Sequence, residues 1–155
     1  MAGLRLSPGQ RAAIHAHAVS AYPSECCGLG TARRGEPDRL SRWHACENAQ
    51  DRFHAFDPGS FPRRSAEAYY IAPKRLFEVV TSARREGEYL RLIVHSHCDA
   101  PACFSDEDVR HALFEGEPVH PGADYLVLSV TAQGVVDEAL FRWQPGAGFL
   151  RETPE

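Results

Sequence analysis

The chain has 155 residues, 43% of them hydrophobic, with 17 basic against 21 acidic side chains and a formal net charge of -4. Such a length and apolar content suit one globular domain over residues 1–155, with enough side chain to bury a core. The mildly acidic balance argues against a grip on nucleic acid or anionic lipid, and no apolar run approaches the roughly 20 residues of a membrane helix.

Ser7-Pro8 supplies an N-cap and a proline for the first helical position, and the alanine-rich stretch after it predicts a helix to about Ala21. His15 and His17 within it fall on different faces and make poor joint ligands. Residues 24–32 predict a strand of small residues on which Glu25 and Cys27 share a face, with Cys26 opposite. An acid in an otherwise uncharged strand is expensive to bury without a purpose. An edge position or an arginine partner would also account for it. The small neighbours leave space for a substrate to approach. Arg33–Asp38 reads as a turn and residues 39–46 as the returning strand of a hairpin. His44 and Cys46 lack a second pair of ligands to match them. The polar run Glu47–Asp51 reads as loop, and Phe53–Phe56 as a short extended piece before the Asp57-Pro58-Gly59 turn. Residues 61–66 are the expected mobile flap over a substrate, and 68–71 a further short strand.

Pro73 opens a helix with Leu76, Phe77, Val79, Val80 and Ala83 on its apolar face and Gly87 past its end. The run Tyr89–His97 then reads as a strand, on which Ile93, His95 and His97 point one way and Leu92, Val94 and Ser96 the other. Two imidazoles thus stand together at a strand's C-terminal end, a ready pair of metal ligands. A helix joining the strands at 68–71 and 89–97 predicts a crossover, and with it an α/β fold of three layers, a mixed sheet between helices. Pro101 breaks the chain, and Ser105–Glu115 predicts a helix with Gly116 just beyond it. Ser105 and Asp108 match a capping box. A loop that folds back would equally carry Asp108 to the imidazoles, giving two nitrogens, one oxygen and an open fourth position, the mark of catalytic rather than structural zinc. Glu117–Asp124 reads as loop, with His120 on the surface or at the site's mouth. Tyr125–Thr131 is an almost wholly apolar central strand paired with 135–143, and the tail is a short return strand that frays after about 150.

Glu25, then His95-Ser96-His97, then Ser105-Asp106-Glu107-Asp108, eight residues on from the second histidine, resemble the signature of the JAMM/MPN (Mov34-type) zinc metalloprotease family, compact prokaryotic type. The resemblance runs from Pro23–Gly28 through Tyr125–Val130. It implies a cytidine-deaminase-like layered fold, one zinc ion held by His95, His97 and Asp108, Glu25 handling the water's proton, and Ser105 stabilising the oxyanion. It also implies a structural role for Asn48. The reaction implied is hydrolysis of an amide bond at the C-terminal tail of a ubiquitin-like or sulfur-carrier protein. Cys98 and Phe104 stand where the family usually has proline. Neither is a ligand there, so the change bears on loop shape and substrate fit.

Ser96 and Cys98 are expected to support the ligands beside them. Two other readings compete: a catalytically silent protein-binding scaffold, and a cysteine hydrolase using Cys98 or Cys26. A zinc deaminase needs His-x-Glu with Pro-Cys-x-x-Cys, which Pro101-Ala102-Cys103 does not provide. The five cysteines, odd in number and irregular in spacing, together with an N-terminus lacking a secretory pattern, lead to the expectation of a cytoplasmic protein with reduced thiols.

Overall fold

The structure is a computed structural model that describes residues 3–153. Helix α1 spans Pro8–Ala21 and starts as expected: the Ser7 hydroxyl accepts the Gln10 amide at 3.1 Å, and the Gln10 side chain accepts the Ser7 amide at 2.9 Å. Strands β1 (Cys27–Arg33) and β2 (Arg42–Cys46) form the expected antiparallel hairpin. Helix α2 (Gln50–Phe56) and α3 (Pro73–Arg85) lead into the long strand β3 (Glu88–Cys98). Helix α4 (Asp106–Ala112), the two-residue strands β4 (Leu113–Phe114) and β5 (Glu117–Pro118), and strands β6 (Asp124–Thr131), β7 (Gly134–Gln144) and β8 (Gly148–Arg151) complete it.

Six strands make one mixed sheet in the order β2-β1-β3-β6-β7-β8, with β3 and β6 its parallel pair. The alternation predicted for β3 decides the layers. Leu92 and Val94 pack beneath α1 with Ile14 and Ala18, whereas Ile93 packs on the opposite side with Val79 of α3 and Val127 of β6. His95 and His97 continue the Ile93 face. The expected three-layer α/β arrangement is therefore present.

Several elements differ from expectation, each for a visible reason. Residues 68–71 form no strand. The Ala68 carbonyl and the Tyr70 amide bond to the Asn48 side chain instead of a ladder, at 3.0 and 3.1 Å. The crossover thus belongs to the next unit, β3-α4-β6, because parallel neighbours need a long connection, while β1 and β3 are antiparallel. Phe53–Phe56 is helical, its Phe53 ring packing on Phe61 and Tyr70 at 5.2 and 4.8 Å. Helix α4 stops at Ala112, short of the predicted Glu115, since Glu115 and Gly116 both take positive φ (51° and 80°) and turn β4 back onto β5. Phe77, assigned to the apolar face of α3, is 70% exposed.

Strand β1 begins at Cys27, so Glu25 precedes the ladder rather than lying within it. The space left by small residues in β1 is not open to substrate. A Cβ on Gly28 would fall inside the Trp43 indole, and one on Gly30 would lie 2.5 Å from Leu40. Glycine is what lets these neighbours close on the sheet. The expected return strand after 147 is β8; the last two residues of the expected frayed end lie outside the described residues.

Candidate metal centre

Strand β3 delivers two imidazoles to one place. His95 is fully buried and His97 nearly so, and their Nε2 atoms stand 3.3 Å apart. The chain then reverses through Asp99, at φ 55°, whose amide donates to the Val130 carbonyl. The Ser129 hydroxyl donates to the Ala100 carbonyl at 2.6 Å, and His97 Nδ1 donates to the Pro101 carbonyl at 2.9 Å. With its Nδ1 hydrogen engaged there, the His97 imidazole presents a lone pair at Nε2, as a metal ligand requires.

The folded-back loop brings α4 to the imidazoles. The Ser105 hydroxyl accepts the Asp108 amide at 3.1 Å, and Asp108 Oδ2 accepts the Ser105 amide at 3.0 Å. The same carboxylate reaches the imidazoles: Oδ1 lies 3.1 Å from His95 Nε2, and Oδ2 lies 3.1 Å from His97 Nε2. The capping box and the ligand reading are thus one arrangement. The cap orients the carboxylate, and the carboxylate sets one oxygen against each imidazole.

These spacings fit a metal. The two nitrogens lie 3.3 Å apart, and each lies 3.1 Å from its own oxygen of Asp108, Oδ1 for His95 and Oδ2 for His97. A tetrahedral zinc with ligands at about 2.0 Å has edges of about 3.3 Å. Burial alone would raise the Asp108 carboxyl, but hydrogen bonds from His95 and His97 outweigh it and hold the group well below the usual carboxylate range. Burial lowers the His95 imidazole. It acts the same way on His97, where the bonds to Asp108 and the Pro101 carbonyl and the charges of Asp108 and Glu25 together outweigh it and raise the group. Two imidazoles against an ionised carboxylate are the donor set that a divalent cation selects, with any proton on a ligand nitrogen released on binding.

Glu25 faces this donor set from the loop before β1. Its carboxylate lies within 4.8 Å of the ligand nitrogens of both His95 and His97. Among the described residues no hydrogen bond reaches that carboxylate, although the side chain is 4% exposed. Burial pushes it up to about 8, with His97 opposing. A carboxyl in this range can both take and return a proton near neutrality.

The backbone of Glu25 is fastened from three sides. Its amide donates to the Ser65 carbonyl at 2.8 Å, its carbonyl accepts from Asn48 Nδ2 at 2.9 Å, and the next amide, Cys26, donates to Ser96 Oγ at 2.7 Å. Ser96 thus supports the site by holding the Glu25 loop against the ligand strand.

A cleft of about 640 Å³ opens over these groups, lined by Glu25, Arg63, Tyr69, His97, Ser105 and Asp108 among others. A second cavity, of about 710 Å³, lies against Leu92, Leu126 and Arg11 and contains none of them. Cys98 lines the cleft, but burial pushes its thiol up to about 11, and Cys26 is pushed up to about 11 likewise. Both are thiols at neutral pH and poor nucleophiles, which removes the support for a cysteine hydrolase. His120 does not line the cleft, and His17 bonds the Cys27 carbonyl at 2.9 Å.

The structural role expected of Asn48 and the support expected of Ser96 are present, but sequence reasoning missed the other groups that hold the site together. Tyr69 stacks on the His95 ring at 4.4 Å and 18°. The expected flap does border the cleft, through Arg63 and Ala66, but the polar run at 48–51 ties it down. Gln50 donates to the Arg63 carbonyl, Asp51 accepts the Ser65 amide and hydroxyl, and Asn48 bridges Glu25, Ala68 and Tyr70. Four amide and carboxylate side chains within five residues, Glu47, Asn48, Gln50 and Asp51, were the available signal. Asn48→Ala strands the carbonyls of Glu25 and Ala68 and the amide of Tyr70. It is expected to cost about 2–3 kcal/mol in denaturant unfolding and to lower any activity that depends on Glu25.

The description "Prokaryotic homologs of the JAB domain" matches residues 8–144, most of the chain and all of the groups above. The chain belongs to the prokaryotic JAB family. A solution structure of a Desulfitobacterium hafniense protein is similar to this JAB domain with 27% identity and a TM-score of 0.69, covering 95% of this chain and 88% of that one. A Salinibacter ruber protein, also solved in solution, shares the fold at 24% identity and a TM-score of 0.63, covering 97% and 89%. No curated protein matches the sequence. Among the described residues of the JAB domain, no helix is long and apolar enough to cross a membrane.

Proposed function

We propose that this JAB domain is a zinc-dependent peptidase or isopeptidase that cuts an amide bond at the C-terminal tail of a ubiquitin-like or sulfur-carrier protein, within the cytoplasm. One observation carries the reading: His95, His97 and Asp108 converge at metal-ligand spacing, while the Glu25 carboxylate beside them is left without a partner. His95, His97 and Asp108 would hold the ion. When bound, zinc supplies a Lewis acid for the scissile carbonyl and lowers the pKa of a water towards about 7.

The chain's own groups do the rest. Glu25 takes the proton of the attacking water and returns it to the leaving amine. The Ser105 hydroxyl accepts the Asp108 amide through a lone pair, so its own hydrogen is free to donate to the carbonyl oxygen as charge develops there. No covalent intermediate is needed. A binding scaffold would need none of these groups, and the complete set favours the enzyme over it.

The test is a cleavage assay on a ubiquitin-like protein carrying extra residues after its C-terminal glycines, followed by mass spectrometry. Release of the extra residues, stopped by a chelator and restored by one equivalent of zinc, is the expected result. Cleavage that persists in chelator would overturn the zinc reading. Tight binding without cleavage by the zinc-loaded protein would favour the scaffold.

A further inference from the structure

The loop between His97 and Ser105 is anchored by main-chain hydrogen bonds as far as Pro101, through Asp99, Ala100 and Pro101 itself. From there to Ser105 the one further main-chain bond among the described residues is local, Cys103 to Pro101. Two side chains locate this second half, the buried Ala102 and the Phe104 ring next to Ser105. A proline would set its own φ through its ring. Phenylalanine has no such constraint, so at position 104 the backbone depends on where the ring docks.

The ring docks on aromatic side chains from the far half of the sheet. Its centroid lies 4.7 Å from Phe149 of β8, 5.0 Å from Tyr125 of β6 and 5.4 Å from Phe141 of β7. Phe149 is itself wedged against Tyr125 at 5.4 Å and Trp143 at 5.0 Å. These spacings are those of favourable aromatic pairs. Phe104 directly precedes Ser105, whose amide and hydroxyl orient Asp108. Strand β8 is one of the sheet's two edge strands and pairs with β7 alone. Its Phe149 is the nearest ring to Phe104 and adds nothing to the cleft lining.

We propose that Phe149 is a positioning residue for the metal centre: through Phe104 it fixes the Ser105 cap, and with it the placement of Asp108 against His95 and His97. The terminal strand is then part of the site's support although no atom of it enters the cleft. This inference rests on the zinc reading above. It assigns to Phe149 and Phe104 a task that changes the geometry of the ligands and not only the stability of the fold.

Zinc affinity measured by competition with a chromogenic chelator tests it, together with the visible spectrum of the cobalt(II)-loaded protein. Phe149→Ala is expected to weaken zinc binding about tenfold or more and to alter the cobalt spectrum. Phe149→Leu, which keeps apolar bulk, should fall between it and wild type, and it carries the test if Phe149→Ala does not fold. Ile14→Ala and Ile14→Val make cavities in the core beneath α1 and serve as controls of thermal stability. They should lose melting temperature without loss of zinc affinity. Unchanged affinity and spectrum in a folded Phe149 variant would overturn the proposal, as would an equal loss in the Ile14 variants. A wild-type protein that binds no zinc would instead refute the metal centre itself, and this inference with it.

Discussion

Glu25→Gln is expected to keep one zinc per chain and to lose turnover by about 10²- to 10⁴-fold, the range that a positioned general acid–base supplies. Glutamine preserves the volume of a side chain that is 4% exposed, so the loop fastened by Ser65, Asn48 and Ser96 has no reason to move. It removes only the capacity to carry a proton. The place of a carboxylate ligand is taken by Asp108, whose two oxygens each lie 3.1 Å from an Nε2 atom, which leaves Glu25 to the proton. Elemental analysis and a turnover assay on the same preparation separate the two possibilities. Zinc lost together with activity would make Glu25 a ligand. Activity retained would remove it from the chemistry.

Asp108→Ala should have the opposite signature, with zinc content falling from one per chain to near zero after dialysis. The substitution removes the carboxylate from the donor set and leaves two imidazoles 3.3 Å apart with no negative charge between them. It also breaks the capping box, so a control is needed. Ser105→Ala loses the cap hydroxyl, at a cost of about 0.5–2 kcal/mol, but leaves all three ligands and should retain zinc. Thermal melts read the same difference. Excess zinc raises the melting temperature of any form that binds it when folded, so wild type and Ser105→Ala should shift upward while Asp108→Ala does not. Stoichiometric zinc in Asp108→Ala would mean that the metal is held without its carboxylate.

Much of this arrangement was legible in the sequence because it is local. Period-two alternation puts His95 and His97 on one face of β3, and the structure shows Ile93 and the two imidazoles on that face. Ser105 to Asp108 is a three-residue step, and both the cap and the approach to the imidazoles follow from it. What was not legible depends on side chains that satisfy distant backbone. Nothing in Ala68–Ile71 reveals that Asn48 takes up its amide and carbonyl, so a strand was expected where there is none. The crossover was therefore assigned one unit too early. Trp43 filling the space beside Gly28, and Tyr69 stacking on His95, are likewise contacts between residues far apart in the chain. Phe104 reads as a missing proline in the sequence, and only its docking on Phe149, Tyr125 and Phe141 shows what replaces it.

The most direct test of the account is an anomalous difference map at the zinc edge from crystals of the zinc-loaded protein. The account predicts a single peak bonded to His95 Nε2, His97 Nε2 and one Asp108 oxygen, with the Glu25 carboxylate beside the ion and not bonded to it. A peak bonded to Glu25 with Asp108 excluded, or no peak at the imidazole pair, would contradict it.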